Sequence, residues 1–165
     1  MIINLKEYKK LNNTRELEKA HSKLKKYFNK YIVLRDLQKN EVTGEIFGID
    51  IGSGRKWLVT LFSDGSLMNG REFSAGHFWK SDRYASVRYD ERNVNGQLSY
   101  LNVYAGGDEA NYAIALRKKI GDAEFEQLKI DRNKTKIWNI LELEVLSDEY
   151  REKAKLRAKF LGIKL

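Results

Sequence analysis

The chain contains no cysteine and no proline, and this double absence limits what it can fold into more than any single motif does. Without cysteine there are no disulfides, no thiol nucleophile and no cysteine-ligated zinc. Apolar packing alone must therefore hold the chain together. Without proline, nothing interrupts a helix from inside, and turns fall to Gly, Asn and Asp. At 165 residues with 42% hydrophobic and 12% aromatic side chains, one globular domain with its own core is expected over residues 1–165. No run of apolar residues is long enough to span a membrane. The opening MIINLKEYKK lacks the apolar stretch of a signal peptide, so a cytoplasmic location is expected.

The net charge of +8 is concentrated at the two ends. Residues 1–40 carry 11 Lys and Arg against 4 acids, and residues 151–165 carry 6 against 1, whereas residues 41–150 carry 14 against 18. Clustered cations attract a phosphate backbone through counterion release. They equally describe a solvated helix face.

Periodicity gives a coarse layout. Asn13 with Glu16 three residues on has the pattern of a helix cap. Leu17, Ala20, Leu24, Phe28, Tyr31 and Ile32 then recur at helical spacing to about Leu37. Lys19, Lys23, Lys25, Lys26 and Lys30 lie mostly on the other faces. Short β-rich pieces follow at Glu45–Ile51 and Trp57–Phe62, separated by Gly52-Ser53-Gly54-Arg55. That glycine pair lacks the Lys-Ser/Thr of a P-loop and reads as a plain turn. Ser63–Ser66 reads as a hairpin turn. Later, Asp108 is placed to cap a helix ending at Gly121, Asp122 a shorter one through Leu128, and Ser147 a last helix. Ile137–Val145 suits either helix or strand.

The segment from Ala75 to Tyr112 holds one of the two histidines, after a glycine, then an Arg-Asn pair, then Gly-Gly-Asp before a helix. Hydrolysing a phosphodiester requires a base for the attacking water, groups that hold it in line, and positive charge near the leaving oxygen. His77 is the only side chain here that titrates near neutrality. A strand ending Phe73-Ser74-Ala75-Gly76-His77 would carry it from a hairpin. Asn93 could orient the imidazole or the loop facing it. Asp108 could ligate a hard cation through oxygen, or only cap its helix. Arg88 and Arg92 suit bidentate phosphate contacts; they could instead pair with Asp90 and Glu91.

These residues, in this order, resemble the HNH-type region of the phage NinG recombination proteins, the Rap group. The resemblance rests on Ala75-Gly76-His77-Phe78, on Arg88-Tyr89-Asp90-Glu91-Arg92-Asn93, on Asn95-Gly96-Gln97 with Asn102, and on Gly107-Asp108 with Tyr112. It extends to Phe28–Asp36, Ile120-Gly121 and Tyr150–Lys153, and is strong from 75 to 121. It implies an α+β fold: a small β-hairpin plus helix (ββα-metal, HNH-like) core at 41–121, flanked by the basic N-terminal helix of 1–40 and C-terminal helices at 122–165. The family's second cysteine pair falls on Leu98 and Leu101. Leucine at both positions implies apolar packing in place of structural zinc.

The activity implied is a DNA endonuclease dependent on Mg²⁺ or Mn²⁺ and acting on branched or recombination-intermediate DNA. His77 and Asn93 would be catalytic, with Asp108 and His77 at the metal. Arg88 and Arg92 would bind DNA together with Lys23, Lys26, Lys30, Arg35, Lys155 and Lys159 of the basic helices. No structural zinc and no membrane are expected; a homodimer, or a host or phage protein partner, stays open, and the location implied is the host cytoplasm. The contrasting class is an inactive HNH-like scaffold that binds DNA junctions or inhibits a host nuclease.

Overall fold

Two long helices packed side by side form the frame on which the smaller elements are mounted. The computed structural model describes residues 13–104 and 109–165. Helix α1 (Thr14–Asp36) starts where the Asn13 side chain accepts a hydrogen bond from the Arg15 N–H, the N-cap that its spacing predicts. Its stripe of Ala20, Leu24, Phe28 and Ile32 is buried against Leu143 and Tyr150 of the C-terminal helix, with Val94 beside them. That helix, Ile140–Leu161, ends at Gly162, whose φ of 76° supplies the left-handed stop.

In the sequence between the two helices, the strands form two antiparallel sheets. In the first, β1 (Leu37–Lys39), β2 (Ile46–Ile49) and β3 (Lys56–Leu58) form a meander. In the second, β4 (Phe73–His77) pairs with β5 (Val94–Leu98), so that Gly76 faces Asn95 and His77 faces Val94. A 3-10 turn, Ala85–Val87, lies in the connection between them. Helices α2 (Ser99–Tyr104), α3 (Glu109–Ile120) and α4 (Asp122–Asp131) follow β5, and Ile140–Leu161 is α5. The fold is thus α+β, as the resemblance implies.

Phe73 fastens the sheets together. Its ring stacks on Trp57 at 5.2 Å between centroids. It also lies so close to Gly48 and Gly96 that a Cβ on either would fall 2.8 and 2.4 Å from ring atoms. Leu98 joins the same buried cluster, with Leu34, Ile46, Ala154 and Leu161, and Leu101 packs against it. Burying a leucine contributes about 1.5–3 kcal/mol.

Two expected helix caps differ, and one turn gains an anchor. The Gly52–Arg55 turn is plain, as read, but Asp50 ties it down: buried to 1% exposure, it accepts hydrogen bonds from Ser53 and from the Leu98 N–H. Asp122 lies in the first turn of α4, and Gly121 holds the cap. Ser147 caps nothing. Helix α5 begins eight residues earlier, at Asn139, which accepts from the Glu142 N–H, and Ser147 is buried mid-helix with its hydroxyl donating to the Leu143 carbonyl. Ile137–Val145 thereby resolves into a short approach and the first turns of α5.

Asp36, at the end of α1, fixes β5 in place. Its carboxylate accepts from the Gly96 N–H at 2.7 Å, from Arg35 at 2.9 Å and from Lys119 at 2.9 Å. Burial works to raise the Asp36 pKa, but Arg35 and Lys119 outweigh it and hold the carboxyl below its usual 3.8. The unfolded chain therefore binds this proton more readily, and the stabilisation is complete above about pH 4 and lost as pH falls through the folded pKa. Asp36→Asn removes the carboxylate that Arg35 and Lys119 share, leaving Arg35 with Glu91 at 3.9 Å, and is expected to cost about 3 kcal/mol. Urea denaturation between pH 3 and pH 7 checks both: the variant's midpoint drops, and its acid-side slope is shallower than the wild type's.

Candidate active site

The hairpin of β4 and β5 delivers His77 to the edge of the fold, and the register depends on Gly76. The Gln97 side chain crosses the Gly76 backbone so closely that a Cβ there would fall 1.7 Å from Gln97 Oε1. Only glycine lets Gln97, itself 1% exposed, lie flat beneath the histidine's strand. The Gly76 carbonyl is held in turn by the Tyr112 hydroxyl of α3 at 2.9 Å, and Asn95 donates to the same hydroxyl at 3.1 Å.

The imidazole is largely buried, and its Nε2 lies 2.9 Å from the Arg88 carbonyl. A carbonyl only accepts, so Nε2 is assigned the proton, and the neutral ring keeps its lone pair on Nδ1. Burial, reinforced by the charges of Lys25 and Arg88, lowers the His77 pKa from 6.5, against the upward pull of the Arg88 carbonyl. At pH 7 the ring is neutral and able to take a proton.

Asn93 is fully buried and does not touch the imidazole. Its oxygen accepts from the Trp79 N–H at 2.9 Å, and its nitrogen donates to the Trp79 and Val87 carbonyls at 3.0 Å each. These bonds tie together both ends of the loop that carries Arg88, the histidine's acceptor. Asn93 therefore holds the loop facing the ring.

His77 lines a cleft of about 760 Å³ together with Trp79, Asp82, Asn102, Glu109 and Arg132. Lys80, Arg83 and Tyr84 complete the same rim. Arg132 stacks over Trp79 at 4.7 Å and over Tyr84 at 5.4 Å. Asp108, the expected metal ligand, lies outside the described residues. Oxygen donors from Asp82, Asn102 and Glu109 share the cleft with one imidazole, a donor set for a hard divalent cation. Among the described residues no three His, Cys, Asp or Glu side chains stand together as a ready cage.

The expected DNA contacts separate into two kinds. Arg92 is engaged internally, bonded to Asp90 at 2.6 Å, Asp131 at 2.8 Å and Glu124 at 2.9 Å. Its pKa rises above the ordinary arginine range, chiefly through the Asp90 hydrogen bond. Arg35 is engaged likewise, by Asp36, Asn95 and the carbonyls of Glu91 and Val94. Lys23 and Lys155 form exposed ion pairs with Asp148 and Glu152. Lys26 sits over the Tyr27 ring at 5.7 Å. Lys30, Lys159 and Arg88 have no carboxylate partner among the described residues. Of all these cations, only Arg88 stands beside His77.

Sequence reasoning missed the rim of Lys80, Arg83 and Arg132, which no spacing links to His77. It also passed over His21 and Asn29, and read Lys25 only as part of a basic helix face; all three line a small second pocket that His77 also lines. Their four-residue spacing on α1 was the available signal.

Comparison with known proteins places these elements in context. The family described as Bacteriophage Lambda NinG protein matches residues 61–159. Protein ninG of Salmonella phage P22 is 26% identical over 88 residues, 53% of this chain and 43% of that protein. Protein ninG of Escherichia phage lambda is 25% identical over the same length. The match thus spans less than half of these relatives. No solved structure matches the chain.

The two histidines make the ring states directly measurable by NMR. The expected His77 titration midpoint lies below 6.5, with nitrogen shifts of the Nε2–H tautomer in the neutral limb. A midpoint above 6.5 would contradict the assigned burial and bonding. Asn93→Ala removes three loop bonds and is expected to cost about 2–3 kcal/mol, with hydrogen exchange accelerating first at Trp79 and Arg88.

Proposed function

The chain belongs to the NinG family of phage proteins, and from that premise we propose that it is a divalent-metal-dependent endonuclease acting on branched or recombination-intermediate DNA. One observation carries the reading. A neutral imidazole, committed through Nε2 to a backbone carbonyl, lines a cleft whose rim is rich in cations and large enough for a nucleotide. This is the state a general base requires: unprotonated at neutral pH and fixed in orientation.

In the proposed reaction His77 removes a proton from the attacking water at Nδ1, while its Nε2–H stays on the Arg88 carbonyl. Asn93 is a positioning residue that keeps the Arg88 loop, and through it the ring, in register. Arg88 supplies positive charge beside the ring, and Lys80, Arg83 and Arg132 line the approach for the nucleic acid. Asp108, with the cleft's oxygen donors, is the proposed holder of Mg²⁺ or Mn²⁺, which when bound would stabilise charge on the leaving oxygen; His77, with Nε2–H on the Arg88 carbonyl and Nδ1 used as the base, has no lone pair left for the metal. With Arg92 and Arg35 paired internally, backbone contacts on the flanks fall to Lys30, Lys26 and Lys159.

A second reading stands beside it, because Leu98 and Leu101 fall where the resemblance places a cysteine pair. On that reading the same scaffold binds junctions, or a host nuclease, without cutting. No helix among the described residues is long and apolar enough to cross a membrane.

A cleavage assay on four-way-junction and linear DNA with Mg²⁺ or Mn²⁺ separates the two. The proposed enzyme cuts, and His77→Ala lowers the rate by at least about a hundredfold, the scale of a lost general base. Wild-type protein that binds the junction but leaves it intact with every metal would establish the binder instead.

A further inference from the structure

A second pocket, of about 180 Å³, shares His77 and Ser81 with the main cleft. It is lined by His21, Lys25 and Asn29 of α1, by Arg88 and Tyr89 of the loop, and by Ser81 and His77, which also line the main cleft. Among the described residues no carboxylate lines it. This is unusual in the molecule, where most cations near the centre are neutralised: Arg35, Arg92 and Lys119 each bond to acids.

The loop geometry holds the pocket open. Arg88 donates through Nε to the Ser81 carbonyl at 2.9 Å and also bonds the Tyr89 hydroxyl, which anchors its guanidinium against the loop while its remaining N–H groups keep donor capacity. Tyr89 is fixed by His21, its hydroxyl lying 3.0 Å from His21 Nδ1 and 3.3 Å from the His21 carbonyl. The two rings stack at 6.0 Å between centroids. Asn29 adds an amide whose oxygen is buried with no hydrogen-bond partner among the described residues. Lys25 is exposed and has no ion pair among the described residues. The uncompensated charge is felt by the neighbours: after burial itself, Arg88 lowers the His21 pKa, and Lys25 and Arg88 lower that of His77.

A cavity of this size, with donors from Lys25, Arg88, Ser81 and the Asn29 amide nitrogen and no acid among its described lining residues, is suited to one tetrahedral anion. A nucleobase with its sugar is too large for it. We propose that this pocket binds a single phosphate group of the nucleic acid, the neighbour of the phosphate presented to His77, and so sets the strand's position across the histidine. The pocket's placement beside the scissile phosphate rests on the endonuclease reading, whereas its affinity for phosphate does not. The group is either an internal phosphodiester or a terminal phosphomonoester, and both present the same oxygens.

The test is made on the full chain in metal-free buffer, so that cleavage plays no part. Inorganic phosphate is titrated while the ring signals of His21 and His77 are followed by NMR. Both are expected to shift along one saturating curve, and Lys25→Ala to weaken the apparent affinity at least tenfold. Lys25 is exposed on a helix, so the variant folds; Lys118→Ala, an equal change of charge on α3 outside the pocket, leaves the curve unchanged. A 12-mer single strand is then bound with a 5′-hydroxyl or a 5′-phosphate, and Lys25→Ala lowers the salt slope by about one. Equal loss for both strands assigns an internal phosphodiester; loss confined to the phosphorylated strand assigns a terminal one. Histidine signals that ignore phosphate, or a Lys25→Ala curve matching wild type, would overturn the pocket. Intact binding with no cleavage under any metal would overturn the enzyme and leave the pocket standing.

Discussion

The Asp36 carboxylate is the contact on which the arrangement around His77 depends. It ends α1, bonds the Gly96 N–H in the middle of β5, and takes Lys119 from α3. Three elements distant in sequence thereby share one buried charge. Arg35 offsets that charge and reaches onward to the Glu91 and Val94 carbonyls, where the loop from Arg88 rejoins the strand. A buried pair of this kind contributes little net stability compared with apolar packing, because desolvation offsets the Coulomb gain. What it supplies is register. A one-residue slip of β5 would carry Gly96 off the carboxylate and turn Val94 away from the α1–α5 core.

Register matters because the site is assembled from backbone more than from side chains. The acceptor for His77 is a carbonyl, and the partners of Asn93 are an N–H and two carbonyls. Such contacts are invisible to residue-type reasoning, which pairs side chains by chemistry. The sequence therefore pointed to His77 and Asn93 as partners in one region, but could not show that Asn93 acts through the Trp79–Arg88 loop. The same limit explains Arg92. Its pairing with the adjacent Asp90 was open from spacing, whereas Asp131 and Glu124 come from α4, across a tertiary contact that no local pattern encodes.

Helices were legible where period and cap agree, as in α1 with Asn13. They were misjudged where a polar residue in mid-helix imitates a cap: Ser147 satisfies its hydroxyl on the preceding turn and needs no helix start. The first sheet was seen only as two apolar runs, since β1 is three residues long and continues directly from α1.

The absence of cysteine bears on how the hairpin is held. Leu98 does not sit in a separate knuckle; it enters the central cluster with Phe73, Trp57 and the α5 residues Ala154 and Leu161. A zinc knuckle fixes its ligands locally and leaves the rest of the chain free to vary. Apolar anchoring instead ties the end of β5 to the far helix, so the hairpin's position becomes a property of the whole core. Gly48 and Gly96 follow from the same constraint, because the Phe73 ring occupies the volume their side chains would need. With packing fixing the frame in this way, charge near the site need not serve stability. Lys25 and Arg88 can remain without carboxylates beside a neutral histidine, an arrangement that isolated folding energetics would not favour and that binding a phosphate would relieve.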